Sequence, residues 1–390
     1  MTTGPRPPVL LCVANFPSGT GYAWDFIESL YAGVADRLAS RGVRTVVAYP
    51  GIPEPPRPLE GSAATPIDRA FRLNGLVAVF RACALVRELG VSVLYLADRP
   101  AWHPAYAALR LAGLHRIVVH DHTSGARTRP TGLKRWAKRA RSVVPGMLAD
   151  RVLAVSDFVA RRKTEVDLVP SARVERIWNS IVIGPDRVDE RAGCSRPGLH
   201  EELGIASSRL IVLCACRASA PKGVDHLLRA FDVLWVDAPR TGRPVLAYAG
   251  DGPVLEALRA LRERLAARED IHLLGYRSDV GALIDAASVC VIPSVWEEAF
   301  GLAALEPMAR GRAVIASRGG GLPEVVLDGE TGLLVPPGDE MALAHALQTA
   351  LTDPAVRDRW GRAGRERAVR LFGRRRQLDA LVRVIGGYFE

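Results

Sequence analysis

The sequence has little of what builds metal sites, disulfide frameworks or membrane spans. Its six cysteines are scattered, and no cluster of cysteine and histidine has the spacing of a zinc site. No stretch of about 20 apolar residues appears, which excludes a transmembrane helix. The first apolar run, residues 9–16, is too short for a secretion signal. These absences predict a cytoplasmic protein with reduced cysteines, no cofactor and no metal.

Acidic residues are scarce relative to basic ones. The chain has 52 Lys and Arg against 42 Asp and Glu, a formal net charge of +10, which attracts anionic partners. Seven basic residues and no acid fall between Arg127 and Arg141, with Trp136 among them. This stretch is either a solvated face or a surface that contacts an anionic membrane or a phosphorylated acceptor. Because no basic and aromatic module accompanies it, we expect no nucleic-acid partner.

Short apolar strands alternate with longer amphipathic stretches along the whole chain, which is the pattern of parallel βαβ sheets. With 390 residues, the chain is long enough for two domain cores. A polar segment rich in Asp, Arg, Gly and Pro, residues 184–198, interrupts the alternation and is predicted to be a linker. We therefore predict an α/β protein with two Rossmann-like domains and a central cleft between them.

The alternation also predicts individual elements. Pro50–Pro66, with its many prolines, is predicted to be a loop. The predicted strands are Val9–Asn15, Val43–Tyr49, Val91–Ala97, Arg116–His120, Arg151–Val155, Val174–Trp178, Leu210–Cys216, Val245–Ala249, Ile271–Leu274, Ser288–Ile292, Ala313–Ala316 and Gly332–Val335. The predicted helices include Ala23–Ser40, Asp68–Leu89, Gly132–Leu148, Leu302–Arg310 and a helical stretch over Pro354–Phe389.

Two carboxylates eight positions apart, Glu298 and Glu306, follow the predicted strand Ser288–Ile292. Glu298 falls in a strand-to-helix loop, and Glu306 falls roughly 12 Å further along the helix at 1.5 Å per residue. Ligands of open α/β sheets bind at the carboxyl ends of strands, beside helix N-termini. The spacing therefore suits a nucleotide-sugar, whose sugar and ribose hydroxyls would each meet one carboxylate. Two acids near a helix start are equally well explained by the helix dipole.

Charged and aromatic residues follow other predicted strands. Arg217 and Lys222 come after Leu210–Cys216, where they either converge on a diphosphate or stand as solvated charges in a turn. Gly252 lies in a tight turn, and Tyr276 lies after Ile271–Leu274, where an aromatic ring can hold a nucleobase. Ordinary surface turns explain these two positions almost as well. The three glycines at 319–321 either expose backbone donors or form a flexible turn.

The loop after the first predicted strand contains Gly19 and Gly21 at the mouth of a helix. Glycines there let backbone N–H groups approach an anion. The loop fits neither the G-x-G-x-x-G dinucleotide fingerprint nor the Walker pattern, so it is a generic anion or sugar loop. Tyr22 and Trp24, which follow, either stack on a sugar or staple the start of the helix.

His120 and His122 flank Asp121 at the end of a first-half strand, where a cleft is expected. No nucleophile elbow accompanies them, so a Ser-His-Asp arrangement is not predicted. The chain also contains no D-x-D motif, which would hold a divalent metal on a nucleotide diphosphate. Arg217, Lys222 and helix N-termini would therefore have to neutralise such a group.

The order of these pieces resembles the retaining GT-B glycosyltransferases of family 4, also described as glycosyl transferases group 1. In the first half the resemblance is looser and runs through the Gly19–Gly21 loop, His120 and Ser156. Asn179-Ser180 stands where the family has Asn-Gly, and Cys216 stands where it has Gly. In the second half the resemblance covers Arg217, Lys222-Gly223, Gly250–Pro253, Leu274–Tyr276, Glu298-x7-Glu306, Gly319–Glu324 and Asp328–Leu333.

The resemblance implies an acceptor-binding domain over residues 1–183, a nucleotide-sugar-binding domain over 184–373, and a helix over 374–390 that returns to the first domain. It implies a hexosyltransferase-type glycosyltransferase that moves a sugar from a UDP- or GDP-sugar to an acceptor hydroxyl with retention. Front-face attack, with the departing diphosphate taking the acceptor proton, is the mechanism implied. The acceptor is a sugar, a lipid-linked sugar or a natural product. An epimerase on the same fold and a non-catalytic nucleotide-sugar-binding protein are the alternatives.

The resemblance, together with the motifs above, assigns roles to single residues. Arg217 and Lys222 would grip the diphosphate, Glu298 would hold sugar hydroxyls, and His120 would touch the donor sugar; these four are the implied catalytic residues. The implied donor-binding residues are Gly19, Gly21, Gly252, Tyr276, Phe300, Gly301, Leu302 and Glu306. The candidate acceptor-binding residues are Tyr22, Trp24 and His122.

Overall fold

The structure is a computed structural model that describes residues 7–125, 127–142, 144–182, 198–239 and 243–390. The domain boundary predicted at residues 183 and 184, and the predicted linker as far as residue 197, lie outside the described residues.

Strands and helices alternate throughout the described residues. The first part contains β1 (Val9–Val13), α1 (Tyr22–Ala39), β2 (Arg44–Tyr49), β3 (Ala64–Asp68), α2 (Leu76–Leu89), β4 (Val91–Ala97), α3 (Ala105–Leu111), β5 (Arg116–Asp121), α4 (Gly132–Ser142), β6 (Arg151–Ala154), α5 (Asp157–Glu165) and β7 (Val174–Arg176). The second part contains α6 (Leu199–Glu202), β8 (Ile211–Ala215), α7 (Val224–Asp237), β9 (Val245–Ala249), α8 (Leu255–Arg262), β10 (Ile271–Leu273), α9 (Val280–Ala286), β11 (Val289–Ile292), α10 (Leu302–Ala309), β12 (Ala313–Ser317), α11 (Leu322–Val325), β13 (Leu333–Val335), α12 (Glu340–Thr352), α13 (Pro354–Phe372) and α14 (Arg374–Gly386).

The chain forms two compact units. Unit 1 comprises residues 1–123, 127–178 and 375–390, and unit 2 comprises residues 124–126 and 179–374. Residues 124–126 therefore belong to unit 2 although they follow β5 of unit 1. The C-terminal segment belongs to unit 1 although it follows α13 of unit 2.

Unit 1 is built on a parallel sheet of seven strands in the order β3-β2-β1-β4-β5-β6-β7. Every residue of β1 is buried, as expected of a central parallel strand with helices on both faces. Alternate β1 residues enter two hydrophobic clusters, one shared with α1 and α14 and the other with α2 and α3. The C-terminal helix α14 is therefore part of one helical layer of unit 1.

Unit 2 is built on a parallel sheet of six strands in the order β10-β9-β8-β11-β12-β13. Helices α7 and α12 cover one face, while α6 and α9 cover part of the other. The strand order reverses between β8 and β11. In open α/β sheets, ligands bind outside the carboxyl ends of the strands at such a switch point.

The predicted α/β class with two Rossmann-like domains is confirmed, and the predicted strands begin and end within two residues of observed ones. The prediction that Pro50–Pro66 is entirely a loop was wrong, because β3 begins at Ala64. Pro66 is tolerated in β3, since an edge strand does not need every N–H for pairing.

Three predicted helices have different limits in the structure. Asp68 ends β3, and α2 begins only at Leu76, after Gly75. The helix predicted over Gly132–Leu148 ends at Ser142 as α4. The stretch Pro354–Phe389 is two helices, α13 and α14, separated at Gly373, whose extended backbone (ψ 141°) cannot continue a helix.

Neither membrane spans nor clustered metal ligands occur in the described parts of the chain. None of the helices there combines the length and the apolar character needed to traverse a bilayer. Likewise, no three His, Cys, Asp or Glu side chains there are grouped as a metal ion would require. The five cysteines in those ranges, at positions 12, 83, 214, 216 and 290, are free thiols.

Leu381 of α14 is fully buried in the cluster that α14 shares with α1. We expect Leu381→Ala to destabilise unit 1 by about 2–5 kcal/mol, because the truncated side chain leaves a cavity. Hydrogen exchange of α1 amides, followed by mass spectrometry, should accelerate accordingly. Val369→Ala, at a position of α13 that is 52% exposed, is the control and should stay within about 0.5 kcal/mol of wild type. Unchanged α1 protection in Leu381→Ala would contradict this packing.

Candidate active site

In unit 2, the loops after β8 and β11 bring Lys222 and Glu298 together at the switch point of the sheet. Lys222 Nζ lies 2.6 Å from Glu298 Oε1, and Ser294 Oγ donates a hydrogen bond to the same oxygen at 2.7 Å. The Glu298 side chain is 14% exposed and the Lys222 side chain is 32% exposed. An acid and a base from two neighbouring strand ends thus form one partly open, charged pair.

Gly223 allows the Lys222 loop to approach the Glu298 loop closely. Its φ is 63°, and a Cβ atom at this position would lie 2.2 Å from the carbonyl oxygen of Pro293. The two loops are also joined by a hydrogen bond from Val295 N to Pro221 O at 3.0 Å. Only glycine fits between these backbones, and it holds the Lys222 ammonium within reach of the Glu298 carboxylate.

The three glycines after β12 support the backbone of Glu298. Gly321 N donates to Glu298 O at 2.7 Å. Gly320 has a φ of 59°, and a Cβ atom there would lie 2.1 Å from the same carbonyl oxygen. The sequence predicted exposed donors or a flexible turn for these glycines. In the structure they form a backbone platform under the Glu298 loop.

Residues 124 and 125 are a second support that the sequence gave no reason to expect. Gly125 N donates to Glu297 O at 2.8 Å, and Ala299 N donates to Ser124 Oγ at 3.2 Å. These contacts lie on both sides of Glu298. No motif marks Ser124 or Gly125, and their distance from Glu298 along the chain hides the contact from any local pattern.

Arg217 follows β8 on the same loop as Lys222. Its side chain is exposed and forms no hydrogen bond or ion pair with any residue that the structure describes. The turn that contains Gly252 lies against this loop, because Ala218 N donates to Asp251 O at 2.9 Å. An unpaired guanidinium and a tight turn thus stand at the ends of adjacent strands.

Tyr276 lies at the next strand end along the sheet, after β10. Its turn is joined to the turn after β9 by a hydrogen bond from Gly250 N to Gly275 O at 2.8 Å. The Tyr276 side chain is 78% exposed. The edge of the unit 2 sheet therefore presents an open aromatic ring beyond Arg217, as a nucleobase contact would require.

Helix α10 begins beside the charged pair. The amides of Leu302 and Ala303 precede the first hydrogen bond of the helix, which runs from Ala304 N to Gly301 O at 3.0 Å, and helix N-termini carry partial positive charge. Gly301 precedes the helix, and the buried Phe300 ring packs edge-on against Phe372 at 5.5 Å between centroids. Glu306 lies further along α10 and is half-buried. The start of α10 can bind an anion, and Phe300 fixes its position.

In unit 1, His120 is fully buried at the end of β5. Tyr95 Oη lies 2.7 Å from His120 Nδ1, whereas Nε2 has no hydrogen-bond partner within the described ranges. The His122 ring lies next to it, with 4.1 Å between centroids. Burial, and secondly the neighbouring His122, lower the pKa of His120 well below its usual value. The imidazole is therefore neutral at physiological pH.

Asp121, between the two histidines, is held by a buried cluster of charges. Burial alone would raise the pKa of Asp121, but the close contact of Lys163 Nζ, the Thr123 hydrogen bonds and Arg162 Nη2 at 3.4 Å outweigh it and bring the pKa to about 2. Lys163 and Arg162 were not predicted as part of the site. A buried carboxylate needs such partners, but only the fold shows which basic residues supply them.

Asp98, which follows β4, is hydrogen-bonded to the segment that contains His120 and His122. His122 N donates to Asp98 Oδ1 at 2.7 Å, and Asp98 N donates to His120 O at 2.9 Å. Burial raises the pKa of Asp98, although His122 opposes this shift. With a φ of 55°, Asp98 adopts a backbone conformation that costs non-glycine residues energy and is enriched at functional sites.

The loop after β1 places Gly19 and Gly21 before α1, as predicted, and Gly21 is the residue that precedes the helix. Trp24 is only 6% exposed, and its ring packs edge-on against Phe16 at 5.6 Å between centroids. This position agrees with the interpretation that Trp24 staples the helix, and it presents little surface for a sugar. The side chain of Tyr22 lies outside the described part of the structure.

Two family models match the chain. Glycosyl transferases group 1 matches residues 195–367, and Glycosyltransferase Family 4 matches residues 27–183. Alpha-D-kanosaminyltransferase of Streptomyces kanamyceticus is 30% identical over 293 residues, which cover 70% of this chain and 72% of that protein. D-inositol 3-phosphate glycosyltransferase of Streptomyces avermitilis is 36% identical over 227 residues, 56% of this chain and 49% of that protein. The chain spans about half the length of several curated relatives that it matches.

A solved structure has the same fold. The crystal structure of Anabaena Alr3699/HepE in complex with UDP superposes with a TM-score of 0.75, covering 97% of this chain and 100% of that chain at 19% identity. At this identity the likeness shows the two-domain GT-B fold alone. The family matches and the 30% identical kanosaminyltransferase, of which the chain covers 72%, show that the chain belongs to the glycosyl transferases group 1 family.

Gly320→Ala should disturb the platform under Glu298. The added Cβ would meet the Glu298 backbone in a conformation that favours glycine, so we expect a loss of about 1–3 kcal/mol in stability. Faster hydrogen exchange in residues 296–300 should accompany it. Gly319→Ala is the matched control, because its nearest neighbour, Trp296 O, would be at an ordinary 3.5 Å. Equal behaviour of the two variants would contradict the platform.

Asp121→Asn leaves Lys163 and Arg162 facing a neutral amide. Removing one partner of a buried charge cluster costs about 3–5 kcal/mol, which we expect at pH 7. Because the folded pKa of about 2 is below the ordinary value of 3.8, the carboxylate stabilises fully above that value and loses its contribution as pH falls toward 2.

The difference between Asp121→Asn and wild type should therefore shrink between pH 4 and pH 2, as measured by urea unfolding. Asp358→Asn, at an exposed position of α13, is the control and should stay within about 0.5 kcal/mol of wild type at pH 7. A constant difference across the acid range would mean that the stability depends on the shape of Asp121 rather than its charge.

Proposed function

We propose that the protein is a retaining glycosyltransferase that moves a sugar from a nucleoside-diphosphate sugar to an acceptor hydroxyl. The observation that carries this proposal is the Lys222–Glu298 pair at the switch point of unit 2, with Arg217, which has no partner among the described residues, on the same loop. The family membership supports it, as do the names of the relatives, which are glycosyltransferases.

Unit 2 supplies the groups that a nucleotide-sugar needs. Arg217 and Lys222 would bind the diphosphate, with Lys222 exchanging its contact to Glu298 for a phosphate oxygen. Each charged hydrogen bond of this kind contributes roughly 1.5–3 kcal/mol. Glu298, released from Lys222, would accept hydrogen bonds from sugar hydroxyls while Ser294 keeps it in place.

The remaining donor contacts are proposed along α10 and the outer strands. The backbone amides of Phe300, Gly301 and Leu302 lie at a helix start, where anionic oxygens are favoured. Glu306 would accept from the ribose hydroxyls, and the exposed Tyr276 would stack on the base. The Anabaena protein contains UDP in its crystal structure, so a uridine donor is the first to test, with GDP-sugars as the second arm.

Retention would proceed by front-face attack. The acceptor oxygen forms the new bond to the anomeric carbon on the face from which the diphosphate leaves, and the leaving diphosphate oxygen takes the acceptor proton. The negative charge that builds on the diphosphate would be stabilised by Arg217, Lys222 and the α10 amides. His120 fits a role as a neutral hydrogen-bonding group, because its lowered pKa makes it a poor proton acceptor.

Unit 1 would bind the acceptor, with His122 among its contacts, whereas its Gly19–Gly21 loop is proposed to bind phosphate of the donor. Sugars, lipid-linked sugars and natural products each offer the required hydroxyl. We propose that the reaction needs no resident metal or cofactor. We also propose that it takes place in the cytoplasm, where thiols such as the five described here stay reduced.

Lys222→Met and Glu298→Gln should each lower kcat at least about a hundredfold, because each removes one preorganised charge contact. The measurement is release of nucleoside diphosphate from a panel of UDP- and GDP-sugars, with and without candidate acceptors. Arg259→Met and Glu256→Gln, which break an exposed ion pair on α8, are the matched controls and should keep wild-type kcat. Near-normal turnover in either site variant would refute these roles.

The same preparations separate the alternatives. NMR of the donor incubated alone would reveal an epimerase, because the sugar would change configuration without an acceptor. Calorimetry that shows tight donor binding, without hydrolysis or transfer to any acceptor, would indicate a binding protein instead.

A further inference from the structure

A helix that packs on a core turns its apolar side inward, whereas helix α4 of unit 1 turns its apolar side outward. None of its residues is buried. Leu133, Trp136 and Ala137 share one side at helical spacing, and Leu133 and Trp136 are 80% and 68% exposed. The apolar side of this amphipathic helix therefore faces solvent.

The basic side of α4 is the side attached to the domain. Lys138 Nζ donates to Val166 O at 2.8 Å and lies 3.6 Å from Asp167. The Arg141 guanidinium lies over the Trp102 ring, 5.2 Å from its centroid. These contacts fix the rotation of the helix, so its apolar side cannot turn inward without breaking them.

Three further cations border this apolar side without an acidic partner. Lys134, Arg135 and Arg139 have no carboxylate within 4.0 Å among the residues that the structure describes. Arg135 and Arg139 also line a groove of about 740 Å³ whose other walls include Trp136, Leu168 and the ion pair of Arg129 with Glu165. The combination of unpaired cations, an exposed indole and an apolar wall suits a phosphate group attached to an apolar chain.

A second exposed apolar cluster lies on the first turns of α2. Leu76, Val77 and Phe80 are 91%, 65% and 72% exposed. Helix α2 belongs to the same layer of unit 1 as α3, and the crossover from β5 to β6 places α4 on that side as well. Because both helices start after the carboxyl end of a strand, their first turns lie at the same edge of the sheet.

We propose that unit 1 docks on the surface of an anionic lipid bilayer through the first turns of α2 and α4. Leu133, Trp136 and the Leu76–Phe80 cluster enter the boundary between headgroups and acyl chains. Lys134, Arg135 and Arg139 meet lipid phosphates at the same depth. The docking itself does not depend on the proposed transferase function. Only the purpose of the docking rests on that function, and this purpose is to bring the protein to a membrane-bound acceptor.

An anionic bilayer accounts for both the cations and the exposed apolar side chains of this surface, whereas a dissolved polyanion accounts only for the cations. A nucleic acid or an acidic polysaccharide would neutralise the three cations but would leave the leucines, Trp136 and Phe80 in water. Burying one such apolar side chain in the membrane raises the partition coefficient between membrane and water on the order of tenfold. An interfacial helix is defined by this pairing of an apolar face with flanking basic residues.

Flotation of the full chain with vesicles tests the docking. Vesicles of phosphatidylcholine containing phosphatidylglycerol should retain the protein, and pure phosphatidylcholine vesicles should not. Raising the salt concentration should weaken retention, because surface charges are screened. Failure to float with the phosphatidylglycerol vesicles would overturn the proposal.

Variants separate the two parts of the surface. The triple variant Lys134→Glu, Arg135→Glu and Arg139→Glu should lower the partition coefficient at least about a hundredfold, and Trp136→Ser should lower it about tenfold. The matched control, Arg359→Glu, Arg362→Glu and Arg365→Glu on α13 of unit 2, makes the same change in net charge at exposed positions and should retain binding. An equal loss in the control would mean that net charge alone, and not this surface, drives retention.

Two further measurements keep the result interpretable. The melting temperature and the binding of UDP to unit 2 should be unchanged in the surface variants, which shows that they are folded. Loss of flotation in the surface variants with intact donor turnover would support docking through this surface. Flotation without any transferase activity would leave docking supported and refute only the proposed function.

Discussion

The contact between the backbones after β8, β11 and β12 is the constraint on which the candidate site depends. Gly223 admits the carbonyl of Pro293, and Gly320 admits the carbonyl of Glu298, each at a distance that a side chain would prevent. Because these loops belong to neighbouring parallel strands, their approach places Lys222 against Glu298 at the switch point of the sheet. The charged pair is thus a product of backbone packing.

This arrangement accounts for how the two charges can be preorganised and still respond to a ligand. Ser294 and the glycine platform fix the position of the Glu298 carboxylate, whereas Lys222 reaches it through a flexible chain. The pair satisfies both charges when no anion is bound. An anion that attracts Lys222 leaves Glu298 in place, ready to accept hydrogen bonds from a neighbouring neutral group.

The sequence predicted the parts of this site that are local and missed those that are not. Strand limits, the loop position of Glu298 and the basic residues after β8 follow from apolar runs and turn residues, which act over a few positions. The contacts of Ser124 with the Glu298 loop, and of Lys163 with Asp121, join residues far apart in the chain. No periodicity encodes them, because burial decides which partner a charge or a backbone group finds. The edge strand β3 was missed because of a local signal: Pro66, a residue typical of loops, lies within the strand.

The division of the chain between the two units has a consequence for its biosynthesis. Unit 2 is almost continuous in sequence, whereas the hydrophobic layer of unit 1 against α1 is completed by α14. During translation, the earlier-made sheet therefore has to wait, with α1 only partly covered, until the ribosome has released residues 375–386. The last helix of the chain therefore ties completion of the first-made unit to the end of synthesis, whereas N-terminal domains generally fold first as the chain is made.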